Sequence, residues 1–199
     1  TKKHFNRLFT SIKQMKKFQF LIVILFFASS DNIAQQVVYF AQKSKVSFQS
    51  DAPLELIKAS SNKLQGAIDA EKRTFAFSIP TDSFKGFNSP LQQEHFYENY
   101  IEAKAYPVST FEGKIIEQVD LLNDGNYSVR AKGKLNIHGV EQERIIKVQL
   151  RITQGVIFAE TNFSVLLQDY NITIPKVVFQ KIAEEIKVIV AVEFAKKKQ

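Results

Sequence analysis

The stretch YSVRAKGKLNIHG, Tyr127 to Gly139, changes from apolar or small to polar at every second residue. One face carries Tyr127, Val129, Ala131, Gly133, Leu135 and Ile137, and the opposite face is polar or charged. Successive side chains of a strand point to opposite faces of a sheet, so this pattern predicts a β-strand with one buried face.

The same alternation recurs along most of the chain. Long runs lie at residues 144–153, 157–167 and 186–194, and shorter ones at 46–48, 54–59, 64–69, 73–79 and 108–118. Short links with turn residues, such as Asn123 to Asn126 and Thr153 to Gly155, indicate antiparallel neighbours. About eight or nine such strands in one domain predict an all-β sandwich or a closed barrel.

Two segments break this pattern and are typical of short helices. Ser89 is followed by Pro90 and, three residues on, by Gln92, which predicts a capped helix start. The helix would place Phe96 beside Tyr100 and Tyr97 beside Ile101. A second helix is predicted from Pro175, with Val178 and Ile182 four residues apart.

The net charge of +7 comes largely from the first 35 residues. They hold six lysines and arginines against one acid, so residues 36–199 carry only +2, with both signs interspersed. Such a surface does not predict a nucleic-acid partner.

The first 35 residues are typical of a targeting sequence. Met15 is followed by two lysines, an apolar run from Phe18 to Phe27 and a small-residue zone at Asn32 to Ala34. This predicts an upstream extension (residues 1–14) and a cleaved secretory signal peptide, leaving one domain at 36–199. The mature protein is then periplasmic or secreted, without a stable membrane span.

The mature chain offers little catalytic chemistry. It has no cysteine, and its two histidines, His95 and His138, show no metal-ligand spacing. We interpret His138 as a turn residue that bonds nearby backbone, and Glu94, Glu98 and Glu102 as a solvated helix face. No catalytic residue, metal site or cofactor is predicted, and an enzyme is disfavoured.

The predicted interior is rich in phenylalanine, and small residues share its inward positions: Gly113, Ala131, Gly133 and Ala159. An eight-stranded barrel is either just filled by its side chains or able to hold one small ligand. Composition leaves both alternatives open, with the filled core ahead.

Five segments together resemble the YceI-like family of exported, lipocalin-like proteins. They are SKVSF (44–48), SIPTDSF (78–84), QEHFYENYIEAKAYPVSTFEGKI (93–115), GKLNIHGVEQE (133–143) and FSVLLQDYNITIP (163–175). Many relatives have an Arg-Asp pair leading into the helix, where this chain has Pro90 to Gln93.

The resemblance implies a single antiparallel lipocalin-like barrel of about eight strands with two short helices. It also implies that the lumen holds a long amphiphile, such as a polyisoprenoid, a quinone-like molecule or a fatty acyl lipid. The residues expected to line it are Phe48, Phe75, Phe77, Ile79, Phe96, Tyr100, Phe111, Ile115, Tyr127, Val129, Leu135, Ile137, Val148, Leu150, Phe163, Val165, Leu167 and Val190.

Two functions are weighed on this basis. The first is carriage of an amphiphilic lipid, with any pairing of two barrels into a homodimer left open. The second is a compact structural or partner-binding β-domain, accessory to a respiratory or stress system, whose interior is packed solid. The substitution Gly133→Phe is expected to separate them, because it would fill a lumen but overpack a core.

Overall fold

The computed structural model describes residues 36–197, in which nine strands form one antiparallel sheet. The strands are β1 (Val38–Asp51), β2 (Leu56–Ser61), β3 (Gln65–Asp69), β4 (Thr74–Pro80), β5 (Val108–Ile115), β6 (Gly125–Ile137), β7 (Val140–Thr153), β8 (Val156–Leu166) and β9 (Glu185–Lys196). The predicted signal peptide and extension lie outside the described residues.

The sheet closes on itself because β9 pairs with β1. Eight strands, β1 and β3 to β9, make the barrel, while β2 pairs with residues 46–51 of β1 as an additional strand. The prediction of an antiparallel lipocalin-like β-barrel is confirmed, and the sandwich alternative is wrong.

Two tight hairpin turns with the same backbone geometry join three of the strands. His138 and Gly139 link β6 to β7 with φ values of 53° and 72°, and Gln154 and Gly155 link β7 to β8 with φ values of 51° and 70°. Two consecutive positive φ values characterise the type I′ turn, whose twist matches that of paired strands.

The β7–β8 seam differs from the other long pairings of the barrel. Only residues 149–153 of β7 pair with β8. Beyond them, side chains join the two strands: Thr161 Oγ1 donates to the Lys147 carbonyl at 2.6 Å, and Arg144 Nη2 donates to the Ser164 carbonyl at 2.6 Å. Beyond the paired residues, side-chain hydrogen bonds connect β7 to β8 in place of backbone ones.

The first predicted helix is present as α1 (Pro90–His95). The Ser89 hydroxyl accepts a hydrogen bond from the Gln92 amide at 3.2 Å, as the sequence predicts. One turn of π-helix follows over Phe96–Tyr100. Glu102 lies beyond it with a φ of 46°, so the prediction that Glu94, Glu98 and Glu102 share a helix face is wrong.

The second predicted helix is wrong. Only one 3₁₀ turn forms, at Lys176–Val178. The backbone groups that would continue it bond elsewhere: the Gln180 carbonyl accepts from the Leu54 amide at 2.9 Å, and the Ala183 amide donates to Ser50 Oγ at 2.8 Å. Bonds to the β1–β2 region thus replace helical ones.

No helix among residues 36–197 is long and apolar enough to cross a bilayer.

Candidate functional site

The inward side chains of the barrel strands surround a cavity of about 610 Å³. A packed solid interior, the alternative that composition favoured, is therefore not what the described residues form. Of the residues predicted to line a lumen, all except Tyr127 line this cavity. Alternation thus identified the cavity face on most strands, and contact of these residues with a ligand stays a prediction.

One end of the barrel, here called the closed end, is filled by side chains. Its largest fully buried residues are Tyr39, Leu121, Ile152, Ile157 and Phe194. Leu121 comes from the loop between β5 and β6, and its side chain is 0% exposed. A side chain from a loop therefore fills the space at this end that the side chains of the strands do not fill.

The opposite end carries the mouth of the cavity. Three segments contribute polar lining residues there: Glu55 from the β1–β2 turn, Gln92 and His95 from α1, and Lys181 from the segment before β9. Gln92 Nε2 donates to Glu55 Oε1 at 2.8 Å and so ties α1 to the β1–β2 turn. The charged lining side chains all lie at this end.

An aromatic cluster lies just inside the mouth. The Phe96 ring is stacked on Phe48 with centroids 5.2 Å apart, and it contacts Phe87 at 5.1 Å. Phe84 meets Phe48 at 5.4 Å, while the Tyr97 hydroxyl donates to the Phe84 carbonyl. Four phenylalanine rings thus form one wall of the cavity entrance.

The remaining polar lining residues include several neutral hydroxyls. Ser78, Thr110 and Thr161 lie among the lining residues. Burial raises the pKa of the Tyr100 phenol above its ordinary value, so this hydroxyl stays protonated and able to donate a hydrogen bond. The interior accordingly suits an apolar guest with few polar groups.

A family model described as the YceI-like domain matches residues 39–194.

The chain belongs to the YceI-like family.

This match confirms the resemblance expected from the sequence and covers nearly the whole barrel. No curated protein matches the chain at a significant level.

Solved structures show the same YceI-like fold at low sequence identity. A polyisoprenoid binding domain from Saccharophagus degradans, described as implicated in plant cell wall breakdown, is 14% identical with a TM-score of 0.69, covering 81% of this chain and 99% of its own. BcnA from Burkholderia cenocepacia is 19% identical with a TM-score of 0.63, covering 75% and 95%. The Campylobacter jejuni YceI protein is 17% identical with a TM-score of 0.56, covering 71% and 85%.

Tyr127 is the one predicted lining residue that the YceI-like barrel places elsewhere. It lies at the start of β6, near the closed end, where its hydroxyl donates to the Asn123 carbonyl at 3.3 Å. Its ring packs against the closed-end core. A period of two predicts the face of a strand but not the depth along the barrel, which explains the error.

The small inward residues divide into two kinds. Ala131 and Ala159 line the cavity, whereas Gly113 and Gly133 do not. The two glycines are paired across β5 and β6, and a Cβ on Gly133 would lie 2.2 Å from the Glu112 carbonyl oxygen. They permit a close approach of backbones, so Gly133→Phe would break the wall and is not a test for a lumen.

His138 lies in the β6–β7 turn, as we predicted, but its side chain bonds distant segments instead of nearby backbone. Its Nδ1 lies 3.0 Å from the carbonyl oxygen of Tyr170, and its Nε2 lies 2.6 Å from Glu102 Oε2. The edge of its ring meets Tyr106, with centroids 4.5 Å apart. A carbonyl only accepts, so Nδ1 donates to it, while Nε2 lies within hydrogen-bond distance of the carboxylate. His138 thereby joins the β6–β7 turn to two separate segments that cap the barrel.

Phe84 and Phe87 are cavity residues that sequence reasoning missed. They lie between β4 and α1, in a segment that has no strand or helix periodicity. Only their apolar bulk could have drawn attention to them. In the part of the chain that the structure describes, no three His, Asp or Glu side chains come close enough together to hold a metal ion.

Proposed function

We propose that this YceI-like protein binds and carries a long-chain amphiphile, such as a polyisoprenoid, a quinone-like molecule or a fatty acyl lipid, inside its barrel. The observation that carries the proposal is the cavity of about 610 Å³, apolar inside and open at one end. This volume is within the range of small-molecule sites, roughly 300 to 1,000 Å³. The polyisoprenoid binding domain of similar fold supports the choice of ligand class.

The apolar walls supply the main driving force for such a guest. Burial contributes roughly 0.8 kcal/mol for each methylene, so a tail of about ten carbons gains about 8 kcal/mol before association costs. Apolar walls respond to length and girth, so we expect modest selectivity among tails.

The polarity of the lining defines how the guest lies. Glu55, His95 and Lys181 are at the mouth, whereas the deep lining is apolar apart from a few hydroxyls. Burying an ionised headgroup away from water would cost several kcal/mol. The tail therefore points to the closed end, and the headgroup stays at the mouth.

We further propose that the protein acts in the periplasm and as a carrier, not as an enzyme. The location rests on the predicted signal peptide in residues 1–35, and cell fractionation tests it. A binding role accords with a cavity whose inner wall carries no acid–base pair among the described residues.

The test compares two alanines on neighbouring strands. Ala159 of β8 lines the cavity, whereas Ala191 of β9 is exposed on the outside. Ala159→Phe should fill the lumen and lower the affinity for a fluorescent fatty acid at least tenfold, while Ala191→Phe should leave it unchanged. Native mass spectrometry of the wild type should show a lipid that organic extraction releases.

The opposite result would favour the structural or partner-binding domain. That second function would be supported if the wild type neither carries nor takes up any lipid. It would also be supported if Ala159→Phe lowers only the melting temperature, because overpacking without loss of binding means that no guest occupies this space.

A further inference from the structure

Four large apolar side chains with high exposure lie around the mouth. The exposed fractions are 65% for Leu54, 59% for Leu91, 90% for Val177 and 63% for Phe179. We call these four residues the apolar rim. Exposed apolar groups gathered at one place on a surface, with polar residues around them, mark interaction sites.

The apolar rim is continuous with the cavity. Val177 and Phe179 flank Val178, whose side chain lines the cavity, and Leu91 itself belongs to the lining. Leu54 directly precedes Glu55, another lining residue. An apolar tail leaving the cavity would therefore pass from apolar lining to apolar rim.

Hydrogen bonds hold the rim segments together. The Leu54 amide donates to the Gln180 carbonyl at 2.9 Å, which joins the β1–β2 turn to the segment that carries Val177 and Phe179. The bond from Gln92 to Glu55 joins α1 to the same turn. The three segments consequently present their apolar side chains together at one end of the barrel.

The charges beside the rim are of both signs. Residues 171–183 contain Lys176 and Lys181, and Glu184 and Glu185 follow them directly. The β1–β2 turn adds Glu55, whose carboxylate accepts hydrogen bonds from Gln92 and Asn88. Because neither sign prevails, contact with a partner at this end depends on the apolar side chains.

We propose that the apolar rim docks on a phospholipid bilayer, with the mouth facing the membrane. This goes beyond carriage of a lipid, because it assigns a surface and a partner. A bilayer fits the rim better than a protein does, since both the ring of apolar groups and the cavity within it match the bilayer's interior. Cargo then moves between bilayer and barrel without crossing water.

Vesicle flotation tests the docking with vesicles of phosphatidylethanolamine and phosphatidylglycerol at 3:1. The wild type should float with them, and the double variant V177S/F179S should bind at least about tenfold more weakly, because it loses the apolar burial of two side chains.

The matched control is Leu122→Ser, which removes an exposed leucine near the closed end. It should float like the wild type. A fluorescent fatty acid titrated in vesicle-free buffer reports the cavity separately, and V177S/F179S should bind it normally, since neither residue lines the cavity.

Three results would overturn the docking proposal. One is wild-type protein that stays in solution with these vesicles, which would leave the rim to a protein partner. Another is an equal loss of flotation in Leu122→Ser. The third is a loss of fatty acid binding in V177S/F179S, which would mean that the rim acts on the cavity. The first two results do not depend on carriage itself, which the vesicle-free titration measures.

Discussion

The closed end and the mouth of this barrel are built from the same strands but are completed differently. At the closed end, loop residue Leu121 meets Ile152 and Ile157 in a core with essentially no exposed surface. At the mouth, α1 and the segment before β9 lie beside the opening of the barrel, yet their side chains Leu91 and Val177 remain exposed. The alternating strands supply a wall, and the connecting segments decide whether an end is filled.

The largest expected effect comes from removing the side chain that fills the closed end. Leu121→Ala should lower the free energy of unfolding by about 2 to 5 kcal/mol, because a fully buried leucine is lost and a cavity remains. Chemical denaturation measures this. Leu122→Ala, at the exposed neighbour, should change stability by less than about 0.5 kcal/mol. Equal losses in the two variants would mean that Leu121 does not fill the end.

The second comparison uses the two type I′ turns, one at each end. Asn suits a positive φ next to glycine better than His or Gln does. Gln154→Asn, near the closed end, should therefore leave stability unchanged or slightly raise it. His138→Asn should lower it by about 1 to 3 kcal/mol despite the better turn, because the bonds to Glu102 and the Tyr170 carbonyl are lost.

Thermal and chemical unfolding of both turn variants provide the measurement. If His138→Asn were as stable as Gln154→Asn, the long-range bonds of His138 would contribute nothing to the cap at the mouth.

The smallest expected effect is a change in acid stability near the closed end, at the turn after β3. The Lys72 amide donates to Asp69 at 2.9 Å, and this bond, with those from Gln36 and the Glu71 amide, holds the pKa of Asp69 below its ordinary value despite burial. The pKa of Asp69 is therefore lower in the folded protein than in the unfolded chain, where it is about 3.9. The ionised carboxylate stabilises the fold above that pH, and this contribution disappears as the pH falls through the folded pKa.

Asp69→Asn should therefore flatten the loss of stability below about pH 4, while Asn retains an oxygen that can accept the turn bonds. Denaturation at a series of pH values measures the slope. An equal flattening in Asp51→Asn, at an exposed aspartate at the end of β1 near the mouth, would contradict the assignment to Asp69.

Most of the wall could be predicted from the sequence because period-two alternation is a local signal. It located the strands, and the Ser89 to Gln92 signature located α1. The closure into a barrel required the family resemblance, because the pairing of β9 with β1 joins residues about 150 positions apart. Alternation cannot report such a contact.

The remaining features depend on depth or on distant partners. Tyr127 has the right face but the wrong depth, and Gly133 serves a backbone contact with β5 that a sequence does not show. Neither the partners of His138 nor the choice of which end opens has a local signature. The predicted second helix failed because bonds from Leu54 and Ser50 replace helical ones.

The β7–β8 seam has a mechanical consequence for the barrel. A continuous ladder resists stretching across the strands, because widening it breaks a row of bonds at once. Between β7 and β8, the side chains of Thr161 and Arg144 form the hydrogen bonds instead. Side chains can change conformation, so the distance between these two strands can increase more easily. We expect the barrel to widen at this seam when it binds a thicker guest. The side chains that fill the closed end keep the depth of the cavity fixed.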